Sequence, residues 1–226
     1  MANMTDVAKG LQAGLGYQFV DSMVLARALT HRSAGPTHNE RLEFLGDSVL
    51  SIVISDNLYR RYPEATEGEL TRCRARLVRQ ETLAFVAQKL GLADALTVGQ
   101  AMGARGSADH PGVLADALEA LIGAVFIDGG YAAVVLVVEG IFAELLTDIA
   151  PESISKDAKT ALQELLHKQG LSLPVYRVVL MRGEPHSRQF DVECYLPASQ
   201  TRFSGQGASR RKAEQEAAQR ALDACA

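Results

Sequence analysis

The run His38-Asn39-Glu40-Arg41-Leu42-Glu43-Phe44-Leu45-Gly46-Asp47-Ser48 passes without a break into Val49-Leu50-Ser51-Ile52-Val53-Ile54-Ser55. That join constrains the fold more than any other stretch. At about 100° per residue, Glu40, Glu43 and Asp47 fall within an arc of about 60°, with Leu42, Leu45, Val49, Ile52 and Val53 on the opposite side. Leu50 and Ile54 then continue along the acidic stripe. A helix that becomes apolar on all sides is buried, so the acids stand where the helix enters the interior, as in the wall of a cleft. The helix is expected over about 38–60, ending before Tyr62-Pro63, because proline disfavours a helical residue ahead of it.

A second helix repeats the arrangement. In Leu114-Ala115-Asp116-Ala117-Leu118-Glu119-Ala120-Leu121-Ile122-Gly123 the two acids share a face, and Leu114, Leu118, Leu121, Ile122 and Val125 point away from it. Ala120 and Gly123 are small enough to let another helix come close. Crowded carboxylates withdrawn from water repel one another and lose hydration. A cation relieves both costs, and an all-oxygen donor set favours Mg²⁺ or Mn²⁺ over zinc. A di-iron bundle would need Glu-x-x-His pairs, which neither helix has. The spacing alone fits a metal site and also a salt-bridged face, with Arg41 and Arg74 or Arg76 as partners. A metal cluster of this kind suits in-line phosphoryl displacement by water.

Around these helices, residues 1–150 read as helix after helix: Asp21 capping a helix over Ser22–Thr30, a long helix from Thr66 to about Gly91, the acidic helix closed by Gly129-Gly130, and a last one over 131–149. A glycine-rich loop covers 101–107. After a linker at 151–156 the pattern changes. A short helix precedes three strand candidates; in the middle one Phe190, Val192, Cys194 and Leu196 alternate with Asp191, Glu193 and Tyr195. The chain then ends in a strong helix former. The fold class expected is mainly α: an all-helical domain, then a small α+β domain (α-β-β-β-α) over 157–226, with helices on one face of an antiparallel sheet.

The net charge of −4 hides an asymmetry: residues 1–154 hold 12 basic and 19 acidic side chains, residues 155–226 hold 11 and 8. An acidic domain is joined to a mildly basic one. Cys73, Cys194 and Cys225 fit no metal spacing and suit reduced thiols in the cytoplasm. The N-terminus lacks a secretory pattern, and with no apolar run near 18 residues no membrane span is expected.

Arg210, Arg211 and Lys212 follow Ser209, a suitable N-cap, and so occupy the first turn of the last helix. Cations there oppose the helix dipole; an anion such as phosphate would compensate, as would salt bridges to Glu214 or Glu216. On the first helix of the small domain Gln163 and Glu164 offer hydrogen bonds to 2′-hydroxyls or base edges in the shallow minor groove of A-form RNA. The loop at Gly183-Glu184-Pro185-His186 is placed to reach a second groove.

Asn39–Ser48 resembles the signature of the ribonuclease III family, and the tail with Ser209-Arg210-Arg211-Lys212-Ala213-Glu214 resembles its double-stranded RNA-binding domain. Leu29–Ser33, Thr66–Val78 and Leu114–Gly130 agree with the same family. The resemblance implies that Glu43, Asp47, Asp116 and Glu119 ligate Mg²⁺ (or Mn²⁺), with Asp47 and Glu119 catalytic and Glu119 most directly tied to cleavage. It implies that Glu40 supports the site, that Glu67 reaches into a partner subunit's cleft, and that Phe44 plugs into a socket across a homodimer interface. The implied activity is hydrolysis of both strands of double-stranded RNA by metal-activated water. The ends are 5′-phosphate and 3′-hydroxyl with short 3′ overhangs, and ribosomal RNA precursors and structured transcripts are the substrates. No membrane and no small-molecule cofactor are implied. Asp109-His110-Pro111-Gly112-Val113 departs from the family pattern, which has a serine and a basic or polar neighbour there. A non-cleaving RNA-binding regulator is the alternative; it would be expected to lose one of the four carboxylates, and all are present. A metal-carboxylate protein acting on small phosphorylated molecules is disfavoured by the basic tail.

Overall fold

The protein is described by a computed structural model that covers residues 4–99, 108–151, 158–184 and 188–225. The 101–107 loop, most of the expected linker and His186 lie outside the described residues. The chain forms two compact units, Met1–Ile154 and Ser155–Ala226.

The first unit is helical: α1 (Met4–Leu15), α2 (Ser22–Ala28), a 3₁₀ turn (Arg32–Ala34), α3 (Glu40–Arg61), α4 (Glu67–Leu77), α5 (Gln80–Lys89), α6 (Leu92–Ala95), α7 (Pro111–Ile141) and α8 (Ala143–Asp148). Asp21 caps α2 by accepting from Met23 N. Thr66 and Glu69 form a reciprocal capping box at the start of α4. The single helix expected over 66–91 is broken: Arg79 is extended (φ −69°, ψ 151°) and starts α5 afresh. The turn is needed because Leu77 and Leu83 are both buried in the same core, and one straight rod would carry the later residues past it. The helix expected over 131–149 also breaks, at Phe142.

The axis of the unit is the pair α3 and α7. A Cβ on Gly46 would lie 1.7 Å from the Glu119 carbonyl oxygen, and one on Gly123 would lie 2.2 Å from that of Leu42. The two backbones touch, and only glycine permits it. This contact places the buried face of α3 on Leu42, Gly46, Val49, Leu50, Val53 and Ile54. Leu50 and Ile54 are fully buried as expected. Ile52, expected on the apolar side, is 57 % exposed, because the face is centred on Gly46 and Ile52 lies about 120° round from it.

Asp116, Glu119, Asp128 and Glu139 keep every apolar run in the acidic helix well short of 18 residues. α7 is 31 residues long and apolar enough to cross a membrane by composition, with mean hydropathy 2.2 over its best window. Gly130 breaks it with φ 75° and ψ −173°, and Leu118, Leu121, Val125, Val134 and Val138 are wholly buried in the core. Its hydrophobicity is that of a core helix, although Ile127 and Leu136 on it are exposed.

The second unit runs α9 (Ala158–Lys168), β1 (Val175–Arg182), β2 (Gln189–Leu196), β3 (Thr201–Gly207) and α10 (Arg210–Cys225). The strands form one antiparallel sheet in the order β1-β2-β3. Val192, Cys194 and Leu196 are buried with Leu162, Leu166, Ala217, Ala218 and Ala221, so α9 and α10 share one face of the sheet. The alanine stripe brings α10 close: a Cβ on Gly205 would lie 2.3 Å from Ala213 O and Ala217 N. Cys73 and Cys194 are buried, Cys225 is exposed, and all three are free thiols.

Candidate functional site

The glycine contact between α3 and α7 sets the spacing of the acids. Glu43 stands one turn before Gly46, and Asp116 one turn before Glu119. One carboxylate oxygen from each of Glu43, Asp116 and Glu119 lies within 4.8 Å of the other two. Asp47, expected as a fourth member, stands outside this group and is exposed. Its side chain leaves α3 about 100° round from Gly46, against about 60° for Glu43. Its charge still reaches Glu119.

The electrostatics follow from crowding. Burial, then the charges of Asp47, Asp116 and Glu43, push Glu119 up to about 8. Burial and the neighbouring Asp116 and Glu40 raise Glu43. Burial also raises Asp116, against the pull of His31, Arg32 and His110. Among the described residues none of the three carboxylates has an ion pair, so the salt-bridged face is not what forms. Arg41 is exposed and Arg74 bonds Ser55 Oγ at 3.0 Å. Three crowded oxygen donors with no ion pair of their own, and only the partial pull of Arg32, His31 and His110 against their repulsion, fit a hard divalent cation.

Glu43 and Asp116 open into a cleft of about 470 Å³ that is also lined by His31, Arg32, Ser33 and His110; Glu119 is not among its lining residues. Arg32 Nη1 donates to Glu40 Oε1 at 3.2 Å, which places Glu40 on the rim. His110, in the departing stretch, caps α7 by accepting from Gly112 N at 3.2 Å through Nδ1. His31 Nδ1 accepts from Ser33 N in the same manner. With Nδ1 accepting, the neutral His110 ring carries its proton on Nε2, whereas His31 Nδ1 also lies 2.8 Å from Ser33 Oγ. Sequence reasoning gave none of these basic residues a role, although Leu29–Ser33 was part of the resemblance. Glu67 lies apart from the cluster. It begins α4, accepts from Thr71 Oγ1 at 2.8 Å and lines a separate cleft with Ser55, Asp56, Tyr59 and Arg74. Phe44 is 79 % exposed on the solvent side of α3.

In the second unit a cleft of about 550 Å³ is lined by Lys159, Thr160, Gln163, Arg210, Arg211, Glu214 and Gln215. Gln163, Arg210 and Arg211 meet there; Glu164 is exposed on α9 but does not line the cleft. Ser209 Oγ accepts from Lys212 N at 3.3 Å, which fixes the first turn of α10. Arg210 pairs with Glu214, so the salt bridge weighed against phosphate binding does form.

Residues 21–145 match the ribonuclease-III-like family, and residues 158–224 match the double-stranded RNA binding motif. The chain is 50 % identical to Ribonuclease 3 of Bordetella avium over 95 % of its own length and 85 % of that protein's. It is 48 % identical to Ribonuclease 3 of Ralstonia pickettii over 94 % and 83 %. The nuclease domain of ribonuclease III from Campylobacter jejuni superposes with a TM-score of 0.59 at 35 % identity, covering 63 % of this chain and 97 % of that domain. A second structure of that domain, described for flexibility in the region involved in dimer formation, gives 0.57 at 37 % identity over 60 % and 96 %.

Proposed function

This chain belongs to the ribonuclease III family, and from that premise we propose that it cuts double-stranded RNA with Mg²⁺ (or Mn²⁺) held by Glu43, Asp116 and Glu119, with Asp47 completing the set. The endoribonuclease activity on double-stranded RNA belongs to the family; the ion and the residue roles are our reading. One observation supports it: three carboxylates from two helices converge with no ion pair to any of them among the described residues, and the deepest is held at a pKa of about 8.

Divalent ions bound there supply charge neutralisation and make water a competent nucleophile at neutral pH. The chain's own groups do the rest. Glu119 gives up its proton when it takes on a cation, so occupancy rises with pH. Arg32, His31 and the Nε2–H group of His110 offer donors for phosphate oxygens in the cleft that Asp116 also lines. Water attacks phosphorus, the bond to the 3′-oxygen breaks, and 5′-phosphate and 3′-hydroxyl ends result. The acidic unit repels phosphate except where cations compensate, which makes duplex binding depend on Mg²⁺ and on salt.

We assign catalysis to residues 1–150 and duplex binding to 157–226, joined by a linker at 151–156, with Gln163, Glu164, His186, Ser209, Arg210, Arg211 and Lys212 on the RNA side. The working form is a homodimer. Phe44, Ile52 and Tyr59, exposed by 79 %, 57 % and 71 % along one side of α3, support an interface there, with Glu67 reaching the partner's cleft. Phe44→Ser then yields a monomer in sedimentation at concentrations where the wild type is a dimer, with the thermal stability of the unit little changed. Free cysteines suit the cytoplasm, where precursor ribosomal RNA and structured messages are the substrates.

The test is cleavage of a long perfect RNA duplex by wild type and Glu119→Ala, in Mg²⁺ and in EDTA. Short staggered duplexes from the wild type in Mg²⁺ only, with the variant binding but not cutting, are expected. Cutting by the variant, or by the wild type in EDTA, removes the reading.

A further inference from the structure

An acid lies in the basic cleft of the second unit. Glu214 is 7 % exposed. Its carboxylate accepts from Lys159 Nζ on α9 at 2.5 Å and from Arg210 Nε on its own helix at 2.8 Å. Lys159 Nζ also lies 4.5 Å from the centre of the Tyr176 ring on β1. One buried carboxylate thus links the two helices that wall the cleft.

Coulomb's law alone makes an acid beside a polyanion site unfavourable. The geometry argues the reverse. An arginine has five N–H donors in a rigid fork. The bond to Glu214 engages Nε and fixes the plane of the fork. The four terminal N–H donors belong to a side chain that remains 64 % exposed. A cation held this way loses less rotamer freedom when a phosphate arrives, and Glu214 is itself fixed by Lys159.

We propose that Glu214 is a positioning residue for duplex RNA: buried between Lys159 and Arg210, it orients the Arg210 guanidinium toward the phosphate backbone, so this acid raises affinity for a polyanion. The inference rests on the reading that duplex RNA occupies this cleft.

The test is a binding titration of the full chain in EDTA, where nothing is cut, with a perfect RNA duplex of about 20 base pairs, longer than the ~16 such a domain spans. Wild type, Arg210→Gln, Glu214→Gln and the double variant are compared at several salt concentrations. Arg210→Gln is expected to weaken binding about three- to ten-fold and to lower the salt slope by about 1. Glu214→Gln weakens binding in the same direction, although it makes the chain more positive. The double variant binds no worse than Arg210→Gln alone. Unchanged or tighter binding by Glu214→Gln, or losses that add in the double variant, overturns the proposal while leaving RNA in the cleft. Wild-type binding by Arg210→Gln removes RNA from the cleft and the proposal with it. Should Glu214→Gln fail to fold, the apolar pair Lys159→Met with Glu214→Leu replaces the buried ion pair without a stranded charge. In that background Arg210→Gln is expected to cost nothing further, and its full cost there overturns the proposal.

Discussion

Glu119 and Glu214 are the same residue type on helices of two different units, and their carboxyls are driven in opposite directions. Burial raises both. Around Glu119 the next contributions are the charges of Asp47, Asp116 and Glu43, and the group reaches about 8. Around Glu214 the hydrogen bonds of Lys159 and Arg210 outweigh burial, and the carboxyl sits below its ordinary range. Acids assembled without a counter-charge are incomplete until a cation comes from outside. An acid with two internal cations is complete, and it organises the cations instead.

The largest effect that tests this contrast is on catalysis. Loss of several kcal/mol of charge stabilisation makes Glu119→Gln slower by about 10³-fold at saturating RNA, measured as single-turnover cleavage. Glu214→Gln changes the RNA concentration needed for half-maximal rate and leaves the saturated rate alone. A fall in the saturated rate with Glu214→Gln would break the division between the two acids.

Next is Gly46→Ala. Its methyl group has no space against the Glu119 carbonyl, so α3 and α7 must separate, at a cost of about 3 kcal/mol or more. Thermal unfolding measures it, and metal-dependent stabilisation disappears with it.

Stability without metal then separates the two acids by sign. Glu119 has a folded-state pKa above its unfolded value, so the folded state binds more protons and stability falls as pH rises from about 4.5 to 8. Glu119→Gln removes that loss and raises stability in EDTA at pH 8 by about 1–2 kcal/mol. Glu214 has a lowered pKa, so its contribution is present above the unfolded value and is lost as pH falls through the folded one. Glu214→Gln lowers stability by about 1–3 kcal/mol at pH 7. Melts of Glu119→Gln at pH 5 and pH 8, and of Glu214→Gln at pH 7 and pH 3, each against the wild type, check the opposite trends.

Of similar size is the effect on ligand linkage. Mg²⁺ at 100 times its dissociation constant stabilises the wild type by about 2.7 kcal/mol, more at pH 8 than at pH 6 because protons must leave. In Glu119→Gln the calorimetric shift is expected to vanish. A shift of equal size there would mean that the cation sits elsewhere.

Much of this was legible in the sequence because it is local. The two acidic stripes, the burial of Leu50 and Ile54, the Asp21 cap, the alternation of Val192, Cys194 and Leu196, and the Ser209 start of the last helix all follow from periodicity and capping. The rest depends on which backbone meets which. The exposure of Ile52 and the position of Asp47 outside the tight acidic group follow from the direction in which α3 meets α7, and the break at Arg79 from the one core that buries both Leu77 and Leu83; periodicity within one helix carries no such information. A mid-helix glycine at position 46, costly in isolation, was the available signal for the close contact. His31 and Arg32 gave no signal of their own, since their place near Asp116 arises only when distant segments come together; His110 is near it because it caps the same helix.

By itself, then, the sequence determined the inventory: two helices bearing acids, a basic-capped helix over a three-stranded sheet, and a family resemblance held by short motifs. Only the tertiary structure decided which acids remain without a counter-charge and which receive one. Charge in a sequence is a property of single residues, whereas compensation depends on distance, and a contact such as that of Gly46 with the Glu119 backbone fixes distances that no helical period contains.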